Sequence, residues 1–147
     1  PVFGSIILKT VIARFTRTLS TLLEGGIPIV QALKSAGPTA GSDVLARTID
    51  NTIEEIEKGR SIASTLQKSE FFPPMVTHMI AVGEEAGSLP TLLDKIAEFY
   101  EQEVATETRG LQALIQPVLL VLIGLLIGGM LIALYLPIFS AATSITT

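Results

Sequence analysis

The chain has 147 residues, with 10 Lys and Arg against 14 Asp and Glu, a net charge of −4 and no cysteine. An acidic balance without a clustered basic face excludes nucleic acid as the expected partner, because phosphate binding needs such a face. The lack of thiols removes disulfides, thiolate nucleophiles and Cys-ligated metals together, and is compatible with a reducing cytoplasm.

Apolar residues recur at intervals of three and four rather than two, which predicts helices and no strand. Leu8, Ile12, Phe15, Leu19, Leu22 and Leu23 form the stripe of a first helix, with Lys9, Arg14 and Arg17 expected on its solvated side. Gly25-Gly26 stops that helix, and Pro28 suits the first turn of the next. A short second helix carries Ile29, Val30, Ala32 and Leu33, and Gly37-Pro38 through Gly41 reads as a loop. Ser42 is placed to cap a third helix with Asp43 near the positive end of its dipole. Leu45, Ile49, Ile53 and Ile56 share one face of it, Asp50, Glu54, Glu55 and Glu57 the others, and Gly59 ends it after Lys58. Ser61 caps a short fourth helix with Ile62 and Leu66. Phe71-Phe72-Pro73-Pro74 is a turn whose aromatics are expected to plug the bundle end. The fifth helix runs from Pro74 through Met75, Met79, Ile80 and Val82 until Gly83 to Gly87 breaks it. Ser88 then caps a sixth, with a stripe of Leu89, Leu92, Leu93, Ile96, Phe99, Tyr100 and Val104. EGGIPIVQAL (Glu24 to Leu33) and EKGRSIASTL (Glu57 to Leu66) echo each other, as an internal duplication or as two similar solutions to one turn.

Every charged side chain lies between Lys9 and Arg109. Beyond them, Val118 to Leu136 supplies an apolar run close to the roughly 20 residues that cross a bilayer core of about 30 Å. Its Leu, Ile and Val residues together favour insertion by about 5 kcal/mol. A helix from Ser88 to Tyr135 would extend about 70 Å, and Pro117 should kink it near the membrane surface. Gly124, Gly128 and Gly129 form a small-xxx-small pattern that admits a second helix at close range or is simply tolerated in lipid. No signal peptide is visible, and an opening Pro1 instead of Met points to a fragment or a processed product. The positive-inside tendency, resting on Arg109 alone, leaves the charged part in the cytoplasm.

The chemistry-bearing residues are sparse. His78 is the sole histidine. GEEAGS (Gly83 to Ser88) has neither the Lys nor the preceding strand of a phosphate-cradling loop and reads as a tight helix–helix turn. Glu98, Glu101, Glu103 and Glu107 read as solvated carboxylates, and Glu84 and Glu85 lack a metal-ligand spacing; Glu84, in the turn before the helix that leads into lipid, is expected to make a hydrogen bond or ion pair across the hairpin, the alternative being a solvated carboxylate. No catalytic, cofactor or metal site is expected.

PVFG at the start, ARFTRTLSTLLEGGIPIVQAL at Ala13 to Leu33, EKGRSIASTL, FPPMVTHMIAVGEEAGSL at Phe72 to Leu89, AEFYEQEV at Ala97 to Val104, and QPVLLVLIG with LYLPIF near the end form an ordered set. With it the chain resembles the C-terminal half of the type II secretion system F family, the inner-membrane platform proteins of bacterial type IV pili and type II secretion. The resemblance singles out Arg14, Phe15, Leu19, Gly25, Gly26, Pro28, Gly59, Phe72, Pro73, Gly83, Glu84, Gly87, Leu89, Tyr100, Pro117, Tyr135 and Pro137 as motif positions. It implies two homologous six-helix cytoplasmic domains and about three membrane helices in the whole protein, this chain being the second domain with the last membrane helix. It also implies a non-enzymatic platform in the bacterial inner membrane, homo-oligomeric, between a hexameric assembly or retraction ATPase, pilins or pseudopilins and other inner-membrane assembly proteins. Two positions depart from the family pattern: Gln116 stands where Glu is frequent before the membrane Pro, and PTAGSD replaces a loop that often carries Asn.

The expected fold is all-α: an antiparallel six-helix cytoplasmic bundle over residues 1–110, a transmembrane helix over 111–139 continuing the last bundle helix, and a short uncharged tail over 140–147. A membrane-anchored helical signalling or sensor module is the competing reading. A transporter would want ionisable residues within the membrane run, and that run has none.

Overall fold

The computed structural model describes residues 2–145, which fold as six helices with no strand among them. They are α1 (Val2–Glu24), α2 (Ile29–Thr39), α3 (Asp43–Glu57), α4 (Ile62–Gln67), α5 (Pro74–Ala86) and α6 (Leu89–Ile145). Pro1 of the opening motif and the last two residues of the tail lie outside the described residues. The chain divides into two compact units, one reaching to Thr106 and one starting at Glu107.

In the first unit α2 packs on α1 and α3, and α4 on α3 and α5. The stripes read from the sequence supply the core: Ile12, Phe15 and Leu19 of α1, Leu33 of α2, Leu45 and Ile49 of α3, Leu66 of α4, Val76 and Ile80 of α5, Leu93 and Ile96 of α6. Phe72, in the turn before α5, is buried against Phe15 with ring centroids 5.9 Å apart. Four polar residues, Thr16, Ser20, Thr52 and Thr77, are also buried. Each donates its hydroxyl to a backbone carbonyl, at 2.8 Å to Ile12, 2.9 Å to Pro90, 2.8 Å to Thr48 and 3.0 Å to Pro74 respectively. Their burial therefore leaves no unmet donor.

The two echoing segments share one turn chemistry. Gly26 (φ 85°) donates to Leu23 O and Ile27 to Leu22 O, both at 3.1 Å. Gly59 (φ 89°) donates to Ile56 O at 2.9 Å and Arg60 to Glu55 O at 3.0 Å. Both are Schellman closures, whose left-handed residue glycine adopts without a Cβ penalty.

Three expectations are corrected. Gly37-Pro38 is not a loop but the last part of α2, which runs to Thr39. Gly37 is buried there, and a Cβ on it would meet Ile49 Cγ2 at 3.2 Å, so the glycine lets α2 and α3 approach. Gly83 does not break α5; the helix continues to Ala86 and ends at Gly87, which is left-handed (φ 70°). Phe99 is not part of the buried stripe of α6; it is largely exposed beside buried Tyr100, against which it packs edge-on.

In the second unit α6 is apolar all round and its large side chains stand exposed on every side. It is the one helix among the described residues long and apolar enough to cross a membrane, with a mean hydropathy of 2.8 in its best window. A helix without a polar face has no soluble environment to match, and lipid is the solvent that fits. The helix runs unbroken through Pro117 and Pro137.

Candidate functional site

The residues with the most specific geometry converge where α5 ends and α6 begins. Gly83 and Glu84 are adjacent on α5 and serve different neighbours. A Cβ on buried Gly83 would lie 2.9 Å from the Cα of Leu89 and 3.3 Å from a Leu92 methyl, so only glycine lets the end of α5 press against the first turn of α6. Glu84 turns to α4: its two carboxylate oxygens accept from the backbone N–H of Ile62 and of Ala63, each at 2.9 Å. Ser61 Oγ accepts from Ser64 N–H at 3.2 Å, and Ser61 O from Thr65 N–H at 3.4 Å. The first four N–H groups of a helix have no intrahelical partner. Here the first three are all met by side chains, one of them reaching in from another helix. A carboxylate at this end also meets the favourable pole of the helix dipole.

This arrangement is local to α4. The N-terminal ends of α2 and α5, at Pro28 and Pro73, have no side-chain cap hydrogen bond. α3 has only its own Ser42, which accepts from Leu45 N–H at 3.3 Å. Beyond Gly87, whose N–H bonds to Gly83 O, Ser88 N–H bonds to the same carbonyl at 3.0 Å, and Ser88 O accepts from Leu92 N–H at 3.2 Å as α6 starts. The turn is thus a fixed junction: one face against α6, the other holding α4.

A second feature joins α1 to α6. Lys9 Nζ donates to Glu103 at 3.2 Å, and Arg17 bonds Asp94 and, at 2.9 Å, Glu101. The expectation that Lys9 and Arg17 are merely solvated is therefore corrected, as is that for Glu101 and Glu103. Those charges sit at helical spacing on facing helices, and opposite charges across a seam attract. Hydrogen bonding to Glu101, reinforced by Asp94, raises the Arg17 pKa further above its already high ordinary value. Burial pushes the Tyr100 hydroxyl up from its ordinary value. At the end of α3, burial would raise Glu55, but Arg60 and Lys58 outweigh it and hold the carboxyl below its usual range.

The remaining motif positions are structural in placement. Phe15, Leu19, Phe72 and Tyr100 are core residues. Gly25, Gly26 and Gly59 belong to the two Schellman turns, and Pro28 and Pro73 precede α2 and α5. Arg14 is exposed and lies within 3.4 Å of the position a Cβ on Gly41 would take. In the second unit Pro117, Tyr135 and Pro137 lie within α6, and a Cβ on Gly124, Gly128 or Gly129 would meet nothing within 4 Å. His78 is exposed, and among the described residues no cluster of His, Asp and Glu could hold a metal ion.

Sequence reading missed the Glu84 partners, the α1–α6 seam and the packing role of Gly37. The seam had a visible signal: Lys9 and Arg17 are separated by about two turns, as are Asp94 and Glu101 on α6. Nothing in the sequence says that these two faces meet.

Residues 15–137 match the family model for Type II secretion system (T2SS), protein F. The chain is 46% identical over 145 residues to a type IV pilus assembly protein PilC of Myxococcus xanthus, covering 99% of this chain and 35% of that protein. It is 37% identical to the PilC of Pseudomonas aeruginosa, over 95% of this chain and 37% of the relative. To a type II secretion system protein F of the same organism it is 31% identical, over 95% and 35%. The chain spans about a third of the length of these relatives.

Proposed function

Because the chain belongs to the type II secretion system protein F family, we propose that it is part of a non-enzymatic platform of the bacterial inner membrane, its helical bundle in the cytoplasm. The platform passes movement of a cytoplasmic assembly ATPase to pilins or pseudopilins leaving the bilayer, in contact with other inner-membrane assembly proteins and with further copies of itself. Residues 1–110 are the cytoplasmic part, 111–139 the membrane helix and 140–147 a short tail on the other side. The observation that supports this reading most is the α5–α6 junction. One turn clasps α4 through Glu84 and abuts the start of α6 through Gly83, and α6 is the helix whose later part is fit for lipid. A push on α5 is therefore delivered to the first turn of α6.

The test is co-purification of the full-length protein from native membranes, with identification of what accompanies it. An assembly ATPase in the wild-type sample, and its loss or the loss of filament assembly on disrupting the junction, is the expected result. A full-length protein that carries no ATPase and whose deletion leaves pili and secretion intact would end the proposal.

A further inference from the structure

Between α3 and α4 lies a polar cleft of about 440 Å³, lined by Asn51 and Glu55 of α3, Arg60 of the intervening turn, and Lys68 and Ser69 at the end of α4. Its hydroxyls are already committed as donors: Thr48 to Val44 O at 2.9 Å, Thr65 to Ser61 O at 3.1 Å and Ser69 to Leu66 O at 2.7 Å. Glu55 is engaged by Arg60 and, at 3.6 Å, by Lys58. Arg60 gives Nη1 to that pair and keeps the N–H groups of Nε and Nη2. Among the described residues Lys68 has no ion pair and the Asn51 side-chain amide no hydrogen bond. The donors left for a ligand are therefore nitrogen groups, two of them cationic.

The wall at Lys68 and Ser69 is anchored. Ser69 O accepts from Phe71 N–H at 2.6 Å across Glu70, whose φ of 56° makes it the one non-glycine residue with a positive φ among the described residues. Such a conformation persists where its surroundings over-determine it, and it recurs at ligand clamps. Here Phe71 packs edge-on against buried Phe72, with ring centroids 5.2 Å apart. Charge then narrows the ligand. The cleft holds two cations against one carboxylate, in a chain whose net charge is −4. Asp50, Glu54 and Glu57 are exposed, and their spacing of four and three puts them on the neighbouring face of α3. That stripe repels an extended polyanion such as nucleic acid, whereas an isolated carboxylate with basic neighbours matches both faces. Small-molecule sites enclose most of their ligand; Asn51, Arg60 and Lys68 are exposed, so a carboxylate held here needs further contacts outside the cleft, which a protein segment supplies.

We propose that the α3–α4 cleft receives an acidic side chain of a partner protein. Arg60, Lys68 and Asn51 donate to its carboxylate, and basic residues beside it in the partner's segment meet Asp50, Glu54 and Glu57. The occupant then touches α4, the helix whose first amides Glu84 holds. This is independent of which machine the protein serves.

The test is a titration of the whole isotope-labelled chain in neutral detergent, followed by the NMR shifts of its backbone amides. The probes are the capped peptide Lys-Ala-Glu-Ala-Lys, the same peptide with Gln in place of Glu, and inorganic phosphate. The Glu peptide should move the amides of Asn51, Lys68 and Ser69 saturably, and less so as salt is added. Removing the charge on either side should weaken binding roughly tenfold, the loss expected for one charge-assisted hydrogen bond. That applies to the Gln peptide on the wild-type chain and to the Glu peptide on Lys68→Gln, whereas Lys95→Gln, an exposed lysine of α6 outside the cleft, should change nothing. Unmoved amides around Phe15 check that Lys68→Gln keeps the fold; if they move, the two peptides on the wild-type chain decide alone. No saturable shift, shifts centred away from the cleft, or a Gln peptide that binds as well as the Glu peptide would overturn the site. Phosphate binding as tightly as the Glu peptide would overturn it too, because the cleft would then select a small anion and not a partner's side chain.

Discussion

Glu84 answers a backbone problem that α4 cannot solve alone. Each of its oxygens takes one amide at 2.9 Å. Glu84→Gln keeps one acceptor and turns an NH₂ donor toward an amide that is itself a donor. An unsatisfied part-buried N–H and a lost charge-assisted bond together cost roughly 1–3 kcal/mol. Thermal or chemical denaturation of the solubilised chain should register that loss; a change within about 0.5 kcal/mol, the usual range for a surface substitution, would mean the carboxylate is in effect solvated. Gly83 gives the complementary case. Gly83→Ala gains about 1 kcal/mol in helix propensity, yet its Cβ would stand 2.9 Å from the backbone of Leu89. Overpacking costs typically about 1–3 kcal/mol, and backbone cannot rotate aside, so net destabilisation is expected in the same denaturation assay. Gly37→Ala, whose closest neighbour is a side-chain methyl of Ile49 at 3.2 Å, should be milder; a stabilised Gly83→Ala chain would refute the close-approach argument. The sequence placed Glu84 at the junction but left open whether it is paired. Its partners are 21 and 22 residues upstream, a separation that no local pattern encodes.

At the scale of elements, helix starts were more legible than helix ends. Starts carry their own chemistry: Ser42 and Ser61 cap as their side-chain types and positions suggest. Glycine is ambiguous at an end, because the same residue serves a left-handed stop at Gly26, Gly59 and Gly87 and a close helix contact at Gly37 and Gly83. Only the partner element decides, and a single sequence does not show the partner. The same ambiguity attends Gly124 and Gly128, which stand open on α6. Replacing both by Leu keeps the helix at least as apolar while closing the backbone surface to another helix. Membrane insertion should be unchanged while oligomer size in detergent and filament assembly fall; an unaltered oligomer with normal piliation would show that the glycines are only tolerated. The α1–α6 pairs belong to this scale too. Arg17 and its acidic partners are more than a third exposed, and exposed pairs contribute only about 0–1 kcal/mol each. They fix which faces meet more than they stabilise the bundle.

Over the whole molecule two solvents are written into one chain: charges end at Arg109, and the apolar run follows. That division was plain in the sequence because lipid imposes a length and a composition, whereas the junction arises from contacts among distant residues. The proposed topology has a direct check in cells. With single cysteines replacing Ser61 and Ser144, an impermeant maleimide applied to spheroplasts should label position 144 and spare position 61; the reverse pattern would invert the orientation. The caps on α4 carry one more consequence, in time rather than in energy. Six residues are too few to persist as a helix by themselves, so α4 is the natural unit to melt and reform while the rest of the bundle stays folded. Its opening exposes the amides of Ile62 and Ala63 to solvent deuterium, and the Glu84 clasp sets how seldom that happens. In the Glu84→Gln chain these two amides should exchange roughly tenfold or more faster, while those around Phe15 keep their wild-type rates. The expected opening of α4 is thus governed from α5, and uniform acceleration across the bundle would show instead that the carboxylate supports the fold as a whole.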